Sequence, residues 1–232
     1  MKNQKSVSVL IGTILLVVIC VGIFLFHNRY NSDPISKTAF HLNTVITITI
    51  YDSQNTALLD ECMAMIQEYE QQLSRTIETS EISQFNQGLL ADKQGISRFS
   101  TSTSQLLEKG LYYASLSAGA FDPTIGSVSS IWDFTSENPT VPEDALIQNG
   151  LKTVGYENLS LHNQEIVCAI EGIQLDLGAI AKGYIADCLK EYLISEGVTS
   201  ATINLGGNVL CIGSKPDGSP FIIGIQKPFS EL

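Results

Sequence analysis

Apolar and polar residues recur at regular spacings along most of the chain, and these spacings predict both strands and helices. Alternating β-branched residues over 44–51 predict a strand. Apolar residues at every third or fourth position over 56–73 predict a helix with one buried face. Residues 74–88 have no clear period and predict a loop that contains a short helical turn.

More helices and hairpins are predicted further along the chain. Ser102 or Thr103 is placed to cap a helix, and Pro142 suits the first position of another. Four short strands are predicted in two hairpins, at 158–161 with 165–170 and at 208–213 with 220–226. Together, these patterns predict an α+β fold.

The stretch at 173–208 carries the clearest chemical signal. A short apolar strand is predicted to end at Asp176, and a helix with two apolar rows follows until Gly197. Lys182 is predicted in the first turn of that helix, where partial positive charge and unpaired N–H groups favour an anion over a cation. With Asp176 close by, the stretch indicates a site for a phosphate, with or without a metal ion.

The N-terminal part of the chain predicts a membrane anchor. Residues 8–26 are apolar and uncharged over about the length that spans a bilayer. Lys2 and Lys5 precede the run, so the positive-inside rule keeps the N-terminus cytoplasmic. A cleaved signal peptide is the alternative, although the run is long and no small-x-small site follows it. The predicted organisation is a cytoplasmic segment at 1–7, a single-pass anchor or uncleaved signal at 8–26, a tether at 27–38 and an extracytoplasmic domain at 39–232.

Composition excludes several classes of function. The chain has 24 acidic residues against 13 lysines and arginines, a net charge of −11, whereas a nucleic-acid partner calls for a basic face. The five cysteines are scattered without a CxxC pair, so neither a zinc site nor a disulfide framework is indicated. Three dispersed histidines make a serine or cysteine triad a poor explanation.

Four features remain as candidate chemistry. They are Asp122 beside Phe121, Asp176 before a helix, Lys182 within it, and the glycine pair at 206–207. The nucleotide-binding patterns GxxxxGK[ST] and GxGxxG are absent. Carboxylates, a hydrated Mg²⁺ and a lysine suit a diphosphate. Each feature alone also fits a structural role: Asp122 can bond its own backbone, and a glycine pair can be a bend.

Four segments carry a more specific signal. They are SEISQFN (80–86), GAFDPTIG (119–126), LDLGAIAKGYIAD (175–187) and INLGGN (203–208). In order and separation they resemble the successive motifs of the ApbE-like FAD:protein FMN transferases, and the resemblance extends over roughly 38–228. It implies a fold of mixed, largely antiparallel sheets packed with helices.

The resemblance also implies an activity. Such enzymes cleave the FAD diphosphate with Mg²⁺ and move FMN onto a Thr or Ser hydroxyl of a target protein, and AMP leaves. The target is typically a membrane redox subunit. Two alternatives stay open: hydrolysis of FAD to FMN and AMP, and a membrane-tethered FAD-binding protein without catalysis.

The family's site residues carry over where this sequence matches. The implied FAD contacts are Leu42, Ala120, Phe121, Asp122, Asp176 and Lys182. The resemblance also implies that the backbone carbonyl of Ala179 is a Mg²⁺ ligand. Two positions depart from the pattern: Leu42-Asn43-Thr44 stands where members often have Met-Gly-Thr, and Thr76 stands where many carry an aromatic residue.

A third departure concerns the metal. The family's His-x-x-Asp-Pro-x-Thr-Gly segment, which supplies the remaining side-chain Mg²⁺ ligands, has no counterpart before Leu232. One carbonyl and a distant Asp do not satisfy a cation that needs near-octahedral oxygen ligands. We therefore expect FMN transfer from a longer form, and an inactive or unstable 232-residue chain.

Overall fold

The computed structural model describes residues 14–21, 33–132, 138–225 and 227–228. Residues 14–21 are helical (α1), and the remainder of the predicted anchor at 8–26 lies outside the described residues. Among the helices that the structure describes, none has both the length and the apolar character needed to cross a membrane.

Helices and short strands are interspersed along the rest of the chain. The further helices are α2 Ala57–Leu73, α3 Glu81–Asn86, α4 Thr101–Leu116, α5 Gly126–Ser129, α6 Asp144–Gly150 and α7 Gly178–Ser195, with 3₁₀ turns at Leu151–Thr153 and Tyr156–Asn158. The strands are β1 Ile35–His41, β2 Thr44–Ile50, β3 Ile96–Arg98, β4 Leu159–His162, β5 Glu165–Cys168, β6 Ala201–Leu205 and β7 Asn208–Ile212. The predicted α+β class is confirmed.

The chain divides into two compact units. Unit 1 takes the described residues of Met1–Ala39, Val45–Glu61 and Lys190–Leu232, and unit 2 takes Phe40–Thr44 and Cys62–Leu189. The four-stranded sheet has the order β1-β2-β6-β7, and β6 is antiparallel to both β2 and β7. Every second residue is fully buried in β2 from Ile46 to Ile50 and in β6, which is the period of a strand with one face on a core.

Unit 2 contains the second sheet and most of the helices. The sheet has the order β3-β5-β4, with β5 antiparallel to both neighbours. The largest fully buried side chains of the unit come chiefly from the apolar faces of α2, α4 and α7 and from the segment before α7. The expectation of largely antiparallel sheets packed with helices is confirmed, since all these strand pairs are antiparallel.

Two predicted strands are wrong. Residues 220–225 form no strand, and β7 instead pairs with β6 across Gly206 and Gly207, whose φ angles of 63° and 93° suit a two-residue hairpin turn. Ile222 and Ile225 are 86% and 94% exposed, so their apolar pattern faces no core among the described residues. The segment before Asp176 makes a single isolated bridge, from Gln174 to Ile125, and is not part of a strand.

Two predicted helix starts are also displaced. The cap of α4 is Ser100, whose Oγ accepts a hydrogen bond from the Thr103 N–H, rather than Ser102 or Thr103. Glu81 fixes this choice, because its carboxylate accepts hydrogen bonds from the Ser100 N–H and Oγ. Helix α6 begins at Asp144, two residues after Pro142.

Candidate functional site

A cavity of about 380 Å³ lies within unit 2, a size within the range of small-molecule sites. Its wall is formed by the β1–β2 turn, the end of α2 with the loop that follows, and the start of α7. The chemically important wall residues are Leu42, Glu70, Arg75, Asp176 and Lys182. Leu42, Asp176 and Lys182 are residues that the sequence predicted as FAD contacts, and the structure brings them together.

Asp176 lies at the start of α7, where hydrogen bonds and an ion pair engage both its carboxylate oxygens. Its Oδ1 accepts a hydrogen bond from the Gly178 N–H at 2.9 Å, which satisfies a free donor at the helix terminus. Its Oδ2 accepts the Ser129 hydroxyl at 2.7 Å and lies 3.2 Å from Arg75 Nε. Three segments of unit 2 therefore converge on one carboxylate.

Lys182 is the unmatched charge of the cavity. It is the fifth residue of α7, so it begins the second turn rather than lying in the first, as the sequence had predicted. The side chain is half-buried, and within the described part of the chain it makes no ion pair or hydrogen bond. Arg75, the other cation of the wall, is already paired with Asp176. A bound anion would supply the partner that Lys182 lacks.

The GAFDPTIG segment supports the cavity without lining it. Asp122 Oδ1 accepts hydrogen bonds from the N–H and Oγ1 of Thr124, and Oδ2 accepts one from the Tyr156 N–H. Asp122 therefore has the structural role that the sequence allowed, because its carboxylate accepts a hydrogen bond from the backbone of its own turn. Neither Ala120, Phe121 nor Asp122 is among the residues that form the cavity wall, and their contact with FAD stays a prediction.

The same segment packs directly against the chain that leads to Asp176. The Asp176 N–H donates to the Pro123 carbonyl at 2.9 Å, and the Gly126 N–H donates to the Gln174 carbonyl at 3.0 Å. A Cβ at Gly126 would lie 2.7 Å from the carbonyl carbon and oxygen of Gln174, so only glycine allows this approach.

The SEISQFN segment reaches the same place through Asn86. Its Nδ2 donates to the Leu175 carbonyl at 2.9 Å, and its Oδ1 accepts the Leu175 N–H at 2.7 Å. Three of the four motifs thus meet around the start of α7, all within unit 2. The fourth, INLGGN, forms the β6–β7 turn in unit 1, where Asn204 Oδ1 accepts the Gly207 N–H.

Asn86→Ala is expected to lower the free energy of unfolding by about 2 kcal/mol, because it leaves both backbone groups of the buried Leu175 without partners. Chemical denaturation measures the change. Gln84→Ala is the matched control on the same short helix, since Gln84 makes one exposed hydrogen bond, and a change under about 0.5 kcal/mol is expected there. Equal losses in the two variants would contradict the stabilising role of the Asn86 clamp, the pair of hydrogen bonds between the Asn86 side chain and the Leu175 backbone.

The metal prediction fits the described residues only in part. Ala179 is the second residue of α7 and is exposed, so its surroundings are open to solvent. Over 14–21, 33–132, 138–225 and 227–228, no group of three or more His, Cys, Asp or Glu side chains could hold a metal ion. Asp176 is three residues from Ala179, and both its oxygens already accept hydrogen bonds. These residues do not complete a Mg²⁺ site by themselves.

Of the four charged residues in the cavity wall, sequence reasoning missed two, Glu70 and Arg75. Glu70 had a signal: it lies four residues after Ile66 and three before Leu73, so a carboxylate occupies the edge of the apolar face of α2. Arg75 lies in the loop after α2 and had no periodic signal. Burial raises the pKa of the phenol of Tyr69, the residue before Glu70 in the chain.

Comparison with known proteins identifies the family. The family model described as the ApbE family matches residues 42–232. The chain belongs to the ApbE family. Among solved structures it is similar to the flavin transferase ApbE from Vibrio cholerae, with 27% identity, a TM-score of 0.76 and coverage of 84% of this chain and 64% of that one. It is also similar to the ApbE protein from Thermotoga maritima, at 29% identity and a TM-score of 0.74, over 85% of this chain and 65% of that one.

Curated relatives agree with the structures. An FAD:protein FMN transferase from Treponema pallidum is 28% identical over 211 residues, which cover 86% of this chain. A protein of the same name from Vibrio cholerae is 29% identical over 199 residues, which cover 85% of this chain. This ApbE family member spans 58% of the length of each of these two relatives.

Proposed function

We propose that this ApbE family member binds FAD in the unit 2 cavity and transfers FMN from it to a Thr or Ser hydroxyl of a target protein, releasing AMP. The observation that carries the proposal is Lys182, a cation in the cavity wall without an acidic partner among the described residues. Membership of a family whose relatives are named FAD:protein FMN transferases supplies the identity of the anion.

The proposed reaction is a phosphoryl transfer. The acceptor hydroxyl oxygen forms a bond to the FMN-side phosphorus, and the bond from that phosphorus to the bridging oxygen breaks. The bridging oxygen leaves with AMP, and the hydroxyl proton passes to solvent or a base. In this chain Lys182 would offset negative charge on the diphosphate, and Asp176 would hold Arg75 and the start of α7 in place.

The proposal also includes a Mg²⁺ requirement and a membrane location, and these two parts rest on the sequence rather than on the cavity. The resemblance supports Mg²⁺, with the Ala179 carbonyl as one ligand, and the bound ion would neutralise phosphate charge. The apolar run at 8–26 after Lys2 and Lys5 supports an anchored protein with its domain on the extracytoplasmic side. A membrane redox subunit is then the acceptor that such a location favours.

Titration of FAD into the 232-residue chain in detergent tests the binding step. We expect saturable quenching of flavin fluorescence, and weaker binding of riboflavin, which has no phosphate to meet Lys182. A form that spans the full length of its relatives, given FAD, Mg²⁺ and a Thr-containing acceptor, is expected to yield protein-bound flavin and one AMP per flavin. The absence of saturable FAD binding would refute the proposal.

Binding without catalysis is the second candidate, and the incomplete donor set around Ala179 favours it for the described residues. The same experiments separate the two functions. Tight FAD binding by the full-length form with no AMP release, with or without Mg²⁺, would establish that the protein binds FAD without catalysis. Release of AMP and free FMN without protein-bound flavin would instead establish hydrolysis.

A further inference from the structure

The turn between β1 and β2 has an unusual backbone for its residues. Leu42 and Asn43 have φ angles of 52° and 56°, both in the left-handed region. A two-residue hairpin turn needs this conformation, and Asn-Gly is the sequence that adopts it most readily. A leucine at such a position is strained, and strain of this kind persists only where neighbouring groups hold it.

Glu70 is the group that holds this turn. Its Oε1 accepts the Leu42 N–H at 2.6 Å, and its Oε2 lies 2.9 Å from His41 Nδ1. The Glu70 and His41 side chains are only 21% and 24% exposed, so water competes weakly for these contacts. Both carboxylate oxygens are therefore engaged with consecutive residues of one turn.

The turn is also part of the cavity. Leu42, Asn43 and Glu70 all line it, and all three belong to unit 2. A change in the turn's backbone would therefore move Leu42 in the cavity wall.

We propose that Glu70 is a positioning residue for FAD: it fixes the left-handed Leu42–Asn43 turn and thereby sets the cavity wall that Leu42 presents to the bound flavin nucleotide. This inference rests on the proposed function. It differs from a ligand contact in a way that can be measured. A glycine at the second position of the turn lowers the cost of the left-handed backbone and should make the turn less dependent on Glu70, whereas a glycine there cannot replace a lost contact between Glu70 and FAD.

Four variants of the 232-residue chain, each titrated with FAD by flavin fluorescence, test the inference. Glu70→Ala is expected to weaken FAD binding about tenfold, the effect of about 1.4 kcal/mol. Asn43→Gly alone is the reference for the double variant, because glycine adopts positive φ freely but also removes a side chain from the cavity wall. In the double variant Glu70→Ala with Asn43→Gly, affinity is expected to recover to within about threefold of Asn43→Gly alone, and the cycle isolates the coupling of the two sites.

Glu70→Gln is the fourth variant and keeps the shape of the side chain. Its amide oxygen still accepts the Leu42 N–H, so FAD affinity is expected within about threefold of the unchanged chain. This variant also keeps the test decisive if Glu70→Ala fails to fold. A tenfold or larger loss in Glu70→Gln would show that the charge matters rather than the acceptor, and would overturn the inference.

Two further results would overturn the positioning role. One is FAD binding in Glu70→Ala within about twofold of the unchanged chain. The other is a double variant as weak as Glu70→Ala, since Glu70 would then act by contact and not through the turn. Glu68→Ala removes an exposed carboxylate from the same helix and controls for net charge, with no change expected. Failure of the unchanged chain to bind FAD is a separate result that refutes the proposed function itself.

Discussion

Lys182→Ala is expected to weaken FAD binding by about 100-fold, a loss of about 2.8 kcal/mol. Lys182 lines the cavity without an acidic partner among the described residues, whereas Arg75 is paired with Asp176. A cation about 4 Å from a phosphate charge gains about 4 kcal/mol at the effective dielectric of a protein surface, and partial exposure reduces that gain. Titration of the 232-residue chain with FAD measures the change.

Two controls assign the effect to the phosphates. Lys190→Ala removes a lysine from the same helix that does not line the cavity, and FAD affinity is expected within about twofold of the unchanged chain. Riboflavin lacks phosphate, so its affinity should not change in Lys182→Ala. An equal loss for riboflavin and FAD would show that Lys182 acts through the fold of the cavity and not on the diphosphate.

Asp176→Ala is expected to lower the free energy of unfolding by about 3 kcal/mol. The reason is that a hydrogen bond to a charged group, such as this partly buried carboxylate, contributes about 1.5–3 kcal/mol. The substitution removes the acceptor of the Gly178 N–H and of the Ser129 hydroxyl, and leaves Arg75 without its ion pair. Denaturant unfolding of the 232-residue chain measures the loss.

Ser129→Ala is the matched control for Asp176, since it removes one of the three donors and leaves the carboxylate in place. We expect it to cost about 1 kcal/mol. If Asp176→Ala costs no more than Ser129→Ala, Asp176 is not the point that joins the three segments. In the full-length form, FMN transfer should also fall sharply in Asp176→Ala, and wild-type-like transfer would remove Asp176 from the site.

The fold was most predictable where one face of an element is buried. Residues 44–51 and 56–73 show clear periods because β2 and α2 each have a buried face, and the structure confirms both. Predictions from local sequence patterns were wrong where a residue distant in the chain determines the local structure. In FSTSTS, several hydroxyl residues can cap a helix, and Ser100 is selected by Glu81 from another segment. At 220–225 an apolar pattern was present, but Ile222 and Ile225 are exposed and face no core among the described residues.

The site was predictable only in those parts that have a motif. Asp176 and Lys182 were found from their position around a helix start, and both line the cavity. The role of Glu70 depends on a turn that is 28 residues away in the chain, and no sequence period reports that contact. Lys182 was also predicted in the first turn of α7, whereas it is the fifth residue and begins the second turn, because the exact first residue of α7 is not encoded by the apolar rows.

The Asn86 clamp has a consequence for the order in which the chain folds. It joins residues 89 positions apart, and the start of α7 depends on it. Contacts of such large sequence separation require the intervening loop to close first, so they form late relative to helices such as α2 and α4. We therefore expect the start of α7 to form after α2 and α4 during folding. Any ligand that binds there selects completely folded molecules and stabilises them by mass action, by about 2.7 kcal/mol at a concentration about 100 times its Kd.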